Sequence, residues 1–125
     1  PMKSKGGPGR LFSALRYSWQ GLQAALRHEA AFRQELTLAL PLLALTPWVA
    51  QGLLHGLLLV GVWLAVLVVE LINSAIEALA DQQSLEKMPL LGRAKDLGSA
   101  AVFLSLVFAL LTWGLSLWSW LRAGP

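Results

Sequence analysis

Three long apolar runs dominate the chain, each framed by polar residues at helical spacing. Leu97 to Leu121 is 25 residues without a charge, long enough for a helix to cross a bilayer. Leu53 to Val69 is 17 residues interrupted only by His55. It continues into ELINSAIEALAD with no turn residue between them, so one helix is predicted over about 53–82, tilted in the bilayer or projecting from it. Leu36 to Ala50 is 15 residues, short by itself. A helix over about 29–49 spans if its first turns lie at the interface, with Pro41 as a kink, Pro47 near its end and Trp48 as an anchor. A third spanning helix is predicted over about 93–121, with Trp113, Trp118 and Trp120 in an aromatic belt near its end. Ahead of all three, Leu11, Leu15, Leu22 and Leu26 recur near helical spacing beside Phe12 and Trp19. Arg10, Arg16, Gln20, Gln23 and Arg27 supply the polar faces. This predicts a basic amphipathic helix over about 9–28 lying in the membrane interface.

The expected fold is therefore an all-α membrane protein: one surface helix and three transmembrane helices in a single domain, 9–125. Residues 1–8 are basic and rich in Gly and Pro, and are predicted to be disordered. No compact apolar stretch with a small-residue cleavage site follows them, so a cleavable signal is not expected. Residues 83–92 contain Pro89 and Gly92 and are predicted to form a loop.

Composition narrows the chemistry. Charged residues make up 14% of the chain and apolar ones 56%, a balance that would expose too much apolar surface in water. There is no cysteine, which excludes disulfides, thiolate catalysis and zinc–thiolate sites. The net charge of +3 comes without a basic stripe, so no nucleic-acid partner is expected. The basic residues instead report topology. Lys3, Lys5, Arg10, Arg16, Arg27 and Arg33 precede or open the first span, Lys87, Arg93 and Lys95 follow the second, and Arg122 follows the third. The positive-inside rule places the N-terminus and the 83–92 loop in the cytoplasm.

All seven acids fall on that same side or at its boundary: Glu29, Glu35, Glu70, Glu77, Asp81, Glu86 and Asp96. At 100° per residue, Glu70, Asn73, Ser74, Glu77 and Asp81 fall at about 0°, 300°, 40°, 340° and 20°, one polar stripe on an otherwise apolar helix. Carboxylates at a bilayer are costly and must face partners, water or an ion, so the stripe is either a satisfied helix–helix seam or a site. Glu29 and Arg33 stand four apart, the spacing of an intrahelical ion pair. Lys95, Asp96 and Ser99 open the third span at a depth that can meet the stripe. Carboxylates from different helices with a lysine suit a Mg²⁺–phosphate site, because Mg²⁺ takes one or two carboxylates together with substrate phosphates. No Walker A or kinase-type glycine loop is present, and His28 and His55 are given no catalytic role.

The segments YSWQGLQAALRHEAAFRQE (17–35), VELINSAIEALAD (69–81) and GRAKDLGSAA (92–101) closely resemble the prokaryotic diacylglycerol kinases, and the last two together are highly specific. The likeness extends over almost the whole chain. It implies a homotrimeric helical bundle with active sites shared between protomers, and transfer of the ATP γ-phosphate to diacylglycerol with Mg²⁺. By that resemblance Glu70 is the general base, and Glu29 and Glu77 hold the metal. ATP contacts are Arg10, Tyr17, Glu29, Glu77, Glu86, Lys95 and Asp96, and Asn73 supports the cluster. Lipid contacts are Arg10, Ala14, Trp19, Gln23, Ala31, Arg33, Glu35, Trp48, Glu70, Ser99, Trp113 and Trp118. Gln20 and Gln23 stand where the best-known enterobacterial members carry basic residues, and Gly56 where they carry arginine.

Three other readings use the same residues, one of them an interfacial lipid-binding protein without turnover, which would tolerate loss of Glu70. An undecaprenol kinase of the related Gram-positive branch would share the phosphoryl-transfer group and differ in the acceptor. A noncatalytic membrane adaptor would use the polar stripe as an assembly seam. A lipid-accessible cleft beside Glu70 marks the kinase, and a permanent partner there marks the adaptor.

Overall fold

The computed structural model describes residues 7–83 and 88–124. Four helices account for nearly all of them: α1 (Pro8–His28), α2 (Ala30–Val49), α3 (Leu53–Asp81) and α4 (Pro89–Ala123). The predicted surface helix begins one residue earlier than expected, because Pro8 occupies the first turn, where its missing N–H costs nothing. Residues 1–6 of the expected disordered tail, and Glu86 with the rest of 84–87, lie outside the described residues.

Local chemistry sets the ends. Arg27 stands in the last turn of α1, where a cation meets the exposed carbonyls. Glu29 then adopts an extended conformation (φ −111°, ψ 103°) and breaks the helix. It is the N-cap residue of α2, yet its side chain makes no capping hydrogen bond. The α2 helix runs through both Pro41 and Pro47 and ends two residues beyond the second. The α4 helix starts at Pro89, four residues ahead of the predicted start, so Pro89 and Gly92 belong to a helix and not to the loop. Proline was read there as a breaker, but at a first helical position it is a starter.

Of the three expected spans, α3 and α4 are long and apolar enough to cross a membrane, with mean hydropathies of 2.3 and 2.1 over their richest windows. The shorter α2 does not reach that mark, since Arg33, Gln34 and Glu35 occupy its first turns.

The centre of the bundle is α3, packed most extensively on α4 and next on α2. Its core joins Ala39, Val49, Leu59, Val62, Trp63, Val66, Ala109 and Trp113. This apolar core fills the end of the bundle remote from α1. Toward the α1 end the buried residues turn polar: Glu35, Glu70, Asn73 and Ser74. Many large apolar side chains of α3 and α4 face outward, among them Leu57, Leu64, Ile72, Phe103, Phe108 and Leu115. So much exposed apolar surface is favourable only against lipid or another protein.

Trp113 lies in this core rather than in a belt. It is 2% exposed, and its indole N–H donates to the Leu59 carbonyl at 3.0 Å, tying α4 to α3. Trp118 remains outside, with the Arg122 guanidinium 5.8 Å from its ring centre. The remote end carries its own polar latch. The Gln51 amide donates to His55 Nδ1 at 3.0 Å, which leaves the proton on Nε2 to reach Ser116 Oγ at 2.9 Å. Gln51 Nε2 donates to Ser119 Oγ at 3.1 Å, so the α2–α3 corner is held to α4.

Candidate active site

The polar stripe of α3 grades from buried to exposed toward its C-terminal end. Glu70 is 3% exposed, Asn73 and Ser74 are buried, Glu77 is half-buried and Asp81 is open. Position along the helix therefore sets how much each carboxylate is shielded from water. Glu70 and Glu77 are seven residues apart, roughly 10 Å along the axis.

Each member of the stripe has a definite partner. Ser74 Oγ donates to Glu70 Oε2 at 3.2 Å. Asn73 Nδ2 donates to Glu77 Oε2 at 3.3 Å. Lys95 Nζ of α4 pairs with Asp81 Oδ1 at 2.9 Å, the one salt bridge among the described residues. The pair is exposed and orients the lysine more than it stabilises the fold.

The α2 helix brings in a second buried acid. Glu35, buried like Glu70, stands close to it across the α2–α3 packing. Its Oε1 has no hydrogen-bond partner among the described residues. Read from sequence, Glu35 was only a lipid contact; its place against Glu70 had no signal in one chain's spacing.

Glu29 and Arg33 do not pair. Arg33 turns its guanidinium back to the end of α1, donating to the carbonyls of Leu26 and Arg27 at 3.0 and 3.2 Å. It caps α1, and the Glu29 carboxylate at the α1–α2 corner makes no hydrogen bond among the described residues. That corner opens on a cavity of about 590 Å³ between α1 and α3, lined by Ser18, Leu22, Ala25, Glu29, Leu71 and Ser74 among others. The cavity is mostly apolar and reaches the residue that holds Glu70.

The other predicted contacts lie on the surface or toward the far end of the bundle. Arg10, Ala14, Tyr17, Trp19, Gln23, Ala31, Asp96 and Ser99 are all exposed. Trp48, Trp113 and Trp118 lie toward the opposite end of the bundle, beyond the buried acids. Among the described residues, no three His, Cys, Asp or Glu side chains gather as a metal-binding group. A self-sufficient metal cage is thus absent among them. The donors that are present, Glu29 and Glu77, are hard oxygens, and they fit a Mg²⁺ ion that arrives with phosphate ligands of its own.

The profile of the prokaryotic diacylglycerol kinase family matches residues 16–117. The chain belongs to this family. A diacylglycerol kinase of Escherichia coli K12 is 44% identical over 110 residues, covering 88% of this chain and 90% of that protein. One from Helicobacter pylori 26695 is 47% identical over 115 residues, covering 91% and 88%. One from Pseudomonas aeruginosa PAO1 is 43% identical over 113 residues, covering 90% and 92%. The matched span takes in α2 and α3 whole, together with all of α4 that carries Lys95, Asp96 and Ser99. With its two long apolar helices, the chain is a bacterial membrane protein.

Proposed function

We propose that this chain transfers the γ-phosphoryl group of ATP to the free hydroxyl of diacylglycerol, giving phosphatidic acid and ADP at the cytoplasmic face of the inner membrane. The observation that carries the proposal is Glu70, a carboxylate buried in an apolar helix beside Glu35 and Ser74, in a chain of this family.

Glu70 is the acid of the stripe set deepest toward the apolar run, at the level a glycerol hydroxyl reaches from the lipid side. It accepts the hydroxyl proton as the hydroxyl oxygen bonds to the γ-phosphorus and the bond from that phosphorus to the bridging oxygen of ADP breaks. Glu35 and Ser74 orient the Glu70 carboxyl for that transfer. The apolar cavity beside Ser74 accommodates part of the acyl chains. Nearer the water, Glu29 and Glu77 would hold Mg²⁺, which neutralises phosphate charge when bound. Lys95, aimed by Asp81, adds a cation for the polyphosphate. Arg10, Tyr17 and Asp96 complete the nucleotide side, and Glu86 belongs to the same group. Trp19, Gln23, Ala31, Arg33, Trp48, Ser99 and Trp118 contribute on the lipid side. The α2 helix is the third span, with Glu35 at its cytoplasmic end. The functional unit is a homotrimer, whose neighbouring protomers cover the outward apolar faces of α3 and α4 and complete one another's sites.

The test is ATP-dependent phosphorylation by the purified protein in mixed micelles, offering diacylglycerol or undecaprenol with and without Mg²⁺. Mg²⁺-dependent turnover of diacylglycerol is expected. Turnover of undecaprenol alone would replace the acceptor, and turnover of neither would make the stripe an assembly seam.

A further inference from the structure

One residue in the cluster has no side chain. Gly98 of α4 is buried against Asn73 of α3, at a very close approach of the two helices. A β-carbon built on Gly98 would collide with Asn73 Oδ1 and lie 3.2 Å from its Cγ. Gly98 does not need glycine's conformational freedom, because it lies inside a helix and the left-handed φ values among the described residues are those of Gly7 and Gly124. Within a helix, glycine is less favourable than alanine. The reason for a glycine here is space.

What fills that space is a polar group with two unlike ends. Asn73 Oδ1 faces the Gly98 backbone and has no hydrogen-bond partner among the described residues. Its surroundings offer no better than a weak Cα–H contact. Nδ2 points the other way and donates to Glu77 Oε2. Turning the carboxamide over would set its oxygen against the Glu77 carboxylate, acceptor to acceptor, and waste the NH₂ on a carbon. A buried acceptor left unpaired is costly, so the side chain is held by what its donor does.

We infer that Gly98 is a positioning residue: its missing side chain admits the Asn73 carboxamide between α3 and α4, and the seated carboxamide fixes Glu77. Gly98 itself touches neither substrate nor metal. The inference rests on the proposed role of Glu77 in holding Mg²⁺.

The experiment compares parent, Gly98→Ala, Asn73→Ala, Gly98→Ala/Asn73→Ala and Glu77→Ala, each as the full chain in detergent. Mn²⁺ binding in the presence of a non-hydrolysable ATP analogue is read by electron paramagnetic resonance, beside the Mg²⁺ dependence of turnover. Gly98→Ala is expected to weaken Mn²⁺ binding about tenfold, as loss of a metal ligand's supporting partner commonly does. The Mg²⁺ concentration for half-maximal rate should rise in parallel while the rate at saturating Mg²⁺ changes much less. With Asn73 already cut to alanine, adding Gly98→Ala should change nothing further, because the two act through one contact. Additive losses, or Mn²⁺ binding like the parent's in Gly98→Ala, would overturn the inference. Should Gly98→Ala alone fail to fold, a folded double variant supports the collision with Asn73 and an unfolded one overturns it. If Glu77→Ala binds Mn²⁺ like the parent, the assignment of Glu77 fails and the inference with it. If only Glu77→Ala loses the metal, Gly98 alone was misread.

Discussion

A carboxylate inside an apolar helix needs partners, and Glu70 has Ser74 on its own helix and Glu35 across from it. Glu70→Gln keeps the shape and the hydrogen bond from Ser74 but removes the proton acceptor. Turnover should fall by about 10²–10⁴-fold, the range of general base catalysis, while binding of a fluorescent ATP analogue and the melting temperature stay near the parent's. Residual activity of a tenth or more would show that the proton goes elsewhere. The spacing of Glu70, Asn73, Ser74, Glu77 and Asp81 was legible in the sequence because all five share one helix, where 100° per residue decides the face. The contact of Glu35 with Glu70 was not, because it depends on how α2 is turned against α3.

At the scale of elements, Arg33 and Trp113 show side chains whose partners lie on other helices. Arg33 serves as the C-terminal cap of α1, not as the partner of Glu29. Arg33→Met should loosen the last turn of α1 by about 0.3–1 kcal/mol, seen as faster amide exchange from Ala25 to Glu29. Unchanged exchange there would mean that the cap is not what holds the corner. Trp113→Phe removes the donor to the Leu59 carbonyl and should cost about 1 kcal/mol of stability, with the KM for diacylglycerol unmoved. A raised KM with unchanged stability would return Trp113 to the lipid surface. Helix positions were readable from periodicity to within a few residues; the start of α4 was missed because proline's meaning depends on its place in the helix.

On the whole-molecule scale, two facts point past a single chain. Much of the apolar surface of α3 and α4 faces outward, and the acids proposed to hold a metal do not converge as a group of three within the described residues. If protomers share sites, two inactive proteins can repair one another. Glu70→Gln mixed with Glu29→Ala, unfolded and reassembled together, should recover activity that neither shows alone, up to a fraction set by random mixing. No recovery would place Glu29 and Glu70 in one protomer's site. The latch of Gln51, His55, Ser116 and Ser119 lies at the far end from this chemistry, which leaves it a structural tie between helices.

Sequence alone determined the all-helical character, the long apolar runs, the polar stripe on α3 and the family, because these depend on local periodicity and on residues close in the chain. Only the tertiary structure decided that Glu35 meets Glu70, that Lys95 takes Asp81, that Arg33 turns back onto α1, and that Asn73 lies against Gly98. Each of those contacts depends on the rotation and depth of one helix against another, which side-chain packing sets and no local pattern encodes.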